Sequence, residues 1–116
     1  MRLRQDKTLV WLKGQVKSPP FSTEARLQTG ILLRLLQQGH GLSLPHSRPM
    51  PSIGVQCHEL RVDDRDQTWR IVYHLAPDAV VILDVFSKKT LATPVQLLET
   101  CRKRLAFYLR TIAEKE

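Results

Sequence analysis

Arg61, Arg70, Lys88 and Lys89 each lie in, or at the end of, one of three β-like runs: C-H-E-L-R-V at 57–62, W-R-I-V-Y at 69–73 and A-V-V-I-L-D-V-F-S-K-K-T at 79–90. The same runs hold two carboxylates, Glu59 and Asp84. Cleavage of RNA without a metal needs a base for the ribose 2′-hydroxyl, cations for the charge that builds on the phosphorane, and an acid for the leaving 5′-oxygen. The four cations meet the second need, and a lysine crowded by like charge gives up its proton more readily. The residues alone leave open which group is acid and which is base. They also leave open whether Arg61 and Arg70 hold an anion or are solvated arginines paired with Glu59 or Asp84.

Burial selects the register of the first two runs. With Arg61 opposite Arg70, Val62 faces Trp69, Leu60 faces Ile71 and His58 faces Tyr73, which makes one apolar face; a slip of one residue would put arginines among the aromatics. Cys57, Glu59, Arg61, Arg70, Val72 and His74 then share the other face. Directly opposed arginines repel one another, so this face is expected to stay open and to meet an anion.

Other chemistries find little support. Cys57 and His74 fall opposite each other in that register, but two ligands do not make a metal site, and His40, His46, His58 and Cys101 lack chelating spacing. No metal and no cofactor is expected. Cys57 and His58 are neighbours on a strand and point to opposite faces, so they form no thiol dyad. The phosphate-cradling and nucleophile-elbow motifs are absent from the sequence. Its two cysteines are too few and too widely spaced for a disulfide framework and are expected to be reduced.

The positioning elements follow from periodicity. Residues 7–13 (K-T-L-V-W-L-K) form a β-like run, and G-Q-V-K-S-P-P breaks it. Ser22 is the N-cap of a helix, with Phe21 before it as half of a hydrophobic staple and Glu24 in the first turn. Ala25, Thr29, Leu32, Leu33 and Leu36 make its apolar face, widened by Ile31 and Leu35, and Gly39 stops it. Gly30 inside this helix implies either close packing on the sheet or a tolerated defect. Residues 39–54 read as a long loop carrying His40, His46 and Arg48. Thr93-Pro94-Val95-Gln96 starts a second helix with a capping box, whose stripe is Val95, Leu98, Cys101, Leu105, Tyr108 or Leu109, and Ile112. Arg102, Lys103, Arg104 and Arg110 surround that stripe.

The order β, α, long loop, β, β, β, α predicts an α+β fold, a small mostly antiparallel sheet with two main helices packed on one face and the arginines on the other. At 116 residues the chain is expected to be a single domain spanning 1–116. Eighteen Lys and Arg against 11 Asp and Glu give a net charge of +7, which attracts RNA, DNA or an acidic protein. No apolar run approaches the ~20 residues of a membrane span, and the charged M-R-L-R-Q-D-K start does not read as a secretory signal. The expectation is cytoplasmic, with no membrane partner. With both helices on the sheet, no exposed apolar stripe would remain to drive self-association.

The series S-I-G, C-H-E-L-R, W-R-I-V-Y, V-I-L-D-V-F-S-K-K-T and T-P, followed by a basic helix, resembles the HigB-like, phage-associated branch of the RelE/ParE toxin superfamily. The likeness covers the chain from about Val10 to Tyr108. It implies a RelE-like fold and the toxin of a type II toxin-antitoxin system, an endoribonuclease that cuts messenger RNA on the ribosome and so inhibits translation. It also implies a cognate antitoxin, often a helix-turn-helix protein. Residue by residue, it places the transition-state arginine at Arg70, a second basic residue after the last strand at Lys88 or Lys89, and the arginine of the E-L-R strand at Arg61, all within the expected catalytic set. Relatives use a late histidine or tyrosine as acid or base, for which this chain offers Tyr108; Glu59 is the carboxylate within the set. His46, Arg48, Arg102 and Arg104 are the expected RNA-binding residues. The alternative is a non-catalytic binding protein, either a ParE-like gyrase inhibitor or an inactive RNA-binding relative.

Overall fold

The computed structural model describes residues 5–88 and 94–115. Its elements are β1 (Thr8–Trp11), α1 (Thr23–Gln37), β2 (Ser47–Pro49), β3 (Cys57–Asp64), β4 (Gln67–Leu75), β5 (Ala79–Lys88) and α2 (Val95–Lys115). The strands form one five-stranded sheet in the order β1-β5-β4-β3-β2. Every neighbouring pair is antiparallel except β1 with β5, which is parallel. The fold is α+β, as composition and periodicity predict.

The β3–β4 register is the one that burial selects: Arg61 opposite Arg70, Val62 opposite Trp69, Leu60 opposite Ile71 and His58 opposite Tyr73. The apolar side of this ladder, with Val80 and Ile82 of β5, packs against Ala25, Leu32, Leu33 and Leu36 of α1. Ser22 caps α1, its side chain accepting from the Ala25 amide, and Gly39 leaves the helix at φ +89. Phe21, just before the cap, is buried in the same core as Ala25. Its ring stacks on Trp69 at a centroid distance of 4.0 Å. Asp64 joins the two parts, accepting from the Ser22 amide at 2.9 Å and the Trp69 indole at 2.8 Å.

The two helices do not share a face. Cys101 and Leu105 of α2 bury against Cys57, Val72, Val81 and Leu83, on the side opposite α1, together with Met50 and Ile53 of the preceding loop. The cause lies in β5, whose A-V-V-I-L run is apolar on both sides and requires cover on both. Gly54 lets the loop pass beneath α2, since a Cβ there would meet Leu105 Cδ2 at 2.7 Å. The face expected to be open is therefore largely roofed.

Two further expectations are corrected. Residues 39–54 are not all loop: Ser47–Pro49 adds as an edge strand, with Arg48 opposite Glu59. Gly30 is not closely packed, because a Cβ there would meet nothing within 4 Å. Thr93, the expected N-cap of α2, lies outside the described residues.

Candidate functional site

Alternation along β3 places Glu59 and Arg61 on the α2 side, and β4 adds Arg70 to it. Arg70 is 1% exposed and Glu59 0%. Glu59 Oε1 accepts from Arg70 Nη1 at 2.8 Å and from Arg48 Nε at 3.0 Å. Arg48, across the β2–β3 ladder, keeps 31% of its side chain exposed. The anion that meets Arg70 is thus internal. This corrects the expectation of an open basic face with Arg70 on it: the position is buried, and the Glu59 carboxylate accepts from its Nη1.

Arg61 has a different fate. It is half-buried and lines an open cavity of about 220 Å³ with Gln28, Pro45, His46 and Asp63. Its amide donates to the His46 carbonyl at 2.8 Å just past the end of β2. Its Nε is buried and has no hydrogen-bond partner among the described residues. His46 is exposed. The structure therefore brings Arg61 and His46 together at the surface, with Arg48 two positions along the chain, while Arg70 stands behind them in the core. Gln28 and Asp63 were not singled out from sequence. Asp63 shares the parity of Arg61, which is a usable signal; Gln28 comes from α1 and carries none.

Lys88 ends β5 opposite Thr68, which in turn faces Asp63, so its backbone lies at the same end of the sheet as Arg61 and Arg70. Lys89 lies outside the described residues. On α2, Arg102 Nε donates to the Ser52 carbonyl at 2.6 Å, holding the loop. Arg104 turns inward, with Nη1 donating to the Leu83 carbonyl at 2.8 Å and lying 3.0 Å from Asp84 Oδ2. It thereby ties α2 to the β5 irregularity opposite Val72 and Tyr73. Tyr108 is half-buried on the second core. Burial, then the Asp78 carboxylate, pushes its hydroxyl above the ordinary tyrosine range, which disfavours a role as base.

Burial disfavours the charged forms of two thiols and two imidazoles. Burial pushes Cys57 up to about 11 and, with Asp84 nearby, Cys101 up to about 12, so neither is a ready nucleophile. Both cysteines are free. Burial lowers His74, against the raising effect of its bond to the Val55 carbonyl at 2.9 Å. Burial also lowers His58, whose ring stacks on Tyr73. Among the described residues no group of three or more His, Cys, Asp or Glu converges to hold a metal ion, and no helix is long and apolar enough to cross a membrane.

This five-stranded sheet, with one helix against each side, is that of a small α+β domain. Residues 20–106 match the family described as phage derived protein Gp49-like (DUF891), and the chain belongs to that family. The family is in the RelE/toxin-like group. No curated protein matches the chain, and no solved structure does.

Proposed function

We propose that the chain is the toxin of a type II toxin-antitoxin system and cleaves messenger RNA on the translating ribosome, with its RNA-contacting surface at the hairpin end of the sheet. The observation that carries this is Arg61, a half-buried arginine that lines an open cavity together with the exposed His46. A preorganised cation of this kind stabilises developing phosphorane charge, and an adjacent imidazole can move a proton. Arg70 then acts as a positioning residue, holding Glu59 and through it Arg48. Support also comes from the family's place in the toxin-like group. A cognate antitoxin, helix-turn-helix in type and encoded beside the toxin, and a cytoplasmic site of action belong to the same proposal.

One observation favours the second reading, a non-catalytic binder of gyrase or RNA: the burial of Arg70 and Glu59 removes that pair from the surface. Two assays on the purified protein separate the readings, ribosome-dependent cleavage of a translated message and inhibition of gyrase supercoiling. The nuclease reading expects cleavage within codons and no gyrase inhibition. Gyrase inhibition without cleavage would overturn it.

A further inference from the structure

Between β1 and α1 lies an apolar groove of about 620 Å³, lined among others by Leu9, Trp11, Val16, Leu27, Gly30 and Ile31. Trp11 is 41% exposed, Leu27 55% and Ile31 62%. Single exposed leucines are ordinary, but a contiguous apolar patch marks an interaction surface. The expectation that no such surface remains is therefore corrected. Ile31 does not widen the buried face of α1; it walls this groove, and the open space at Gly30 deepens it.

The groove adjoins a sheet edge. Thr8 donates to the Asp78 carbonyl and Leu12 to that of Ile82, so in this parallel ladder Thr8, Val10 and Leu12 turn their peptide groups to β5. Those of Leu9 and Trp11 point away from the sheet, and no described strand pairs with them. The rim is cationic: Arg26 and Arg34 line it, and Lys13 and Lys17 are exposed on either side of Val16. The carboxylate Asp6 is engaged by Arg34.

We propose that an extended acidic segment of a partner protein adds to β1 as a further strand, with alternate apolar side chains entering the groove and its carboxylates meeting Arg26, Lys13 and Lys17. Strand addition satisfies the peptide groups of Leu9 and Trp11. A docked helix would leave them unpaired. A second copy of this chain, related by two-fold symmetry, would set one cationic rim against another. Complementary charge speeds capture and fixes register. The groove contains none of the residues assigned to RNA, so the proposal stands or falls apart from nuclease activity.

The test uses the full chain and two short synthetic peptides, one alternating Val with Glu and one alternating Val with Lys. Binding is followed by Trp11 fluorescence and by amide hydrogen exchange. The acidic peptide is expected to bind and to slow exchange at Leu9 and Trp11. Gly30→Trp, which fills the groove from a helix position with open space, should weaken binding by roughly tenfold or more, as loss of a central contact does. Gly30→Ala should bind like the wild type, and both variants should leave RNA cleavage unchanged. Equal binding of the basic peptide, protection away from β1, no binding of either peptide, or a concentration-dependent dimer abolished by Gly30→Trp would each overturn the proposal.

Discussion

Glu59 and Arg70 form an ion pair with both side chains buried, so the two are coupled in stability. Breaking a buried ion pair from one side costs about 3–5 kcal/mol, whereas replacing both partners by apolar groups of similar volume is close to neutral. Glu59→Leu alone is therefore expected to lose about 3–5 kcal/mol in urea unfolding, and adding Arg70→Met should recover most of it. If the double variant is as unstable as the single, Glu59 and Arg70 are not the coupled pair described. A loss of activity in Arg70→Ala alone does not separate chemistry from unfolding, whereas Arg61, half-exposed, can be changed without opening the core. Asp64 offers a pH test. The Ser22 amide first, and then the Trp69 indole, holds its carboxyl below the ordinary range. The folded state thus binds fewer protons there than the unfolded state. The stabilisation is present above about pH 4, the unfolded aspartate value, and is lost as the pH falls through the lower folded value. Asp64→Asn should flatten the acid limb of stability against pH; an acid limb as steep as that of the wild type would contradict this.

At the scale of elements, sequence carried most where one physical constraint dominated. The β3–β4 register was legible because a slip would move Trp69 and Tyr73 off the apolar face, and α1 was legible from its cap and its period, down to the buried Thr29. The roofing of the second face was missed, although β5 held the clue: Ala79, Val80, Val81, Ile82 and Leu83 are all buried, with no polar alternation. Alternation in β3 and β4 suggested an open side, but the central strand reports on both sides of a sheet. β2 was illegible for a different reason. Three residues ending in proline carry no period, and what defines the strand is its long-range pairing with β3, Ser47 with Leu60, Arg48 with Glu59 and Pro49 with His58. At the candidate site, residue types were legible but depth was not: Arg61 and Arg70 are ladder partners, and one is half-buried while the other is sealed in the core. Gly30 gives the element-scale prediction. With open space at its Cβ, Gly30→Ala should raise stability by about 0.5–1 kcal/mol through helix propensity alone, read as a higher melting temperature. Destabilisation would mean that the position is more crowded than described.

Across the whole molecule, the net charge of +7 is not spread evenly in its use. Arg48, Arg70 and Arg104 are spent on Glu59 and Asp84 inside the fold, and Arg102 pins a loop. Two surfaces keep cations for other molecules: the cavity with Arg61, and the groove beside β1 with Arg26, Lys13 and Lys17. On the proposed function the first meets a phosphate backbone and the second, being apolar at its floor, an acidic protein segment, so the two proposed partners occupy separate surfaces. The decisive measurement is cleavage of a translated message by purified wild type and Arg61→Ala, mapped along the transcript, with near-ultraviolet circular dichroism of the Phe21–Trp69 stack confirming that both are folded. The wild type should cut within codons only when ribosomes are translating, and Arg61→Ala should lose roughly a hundredfold or more in rate, the scale of one transition-state donor, with its melting temperature unchanged. Cleavage undiminished in a folded Arg61→Ala, or no cleavage by the wild type on translating ribosomes, would contradict it.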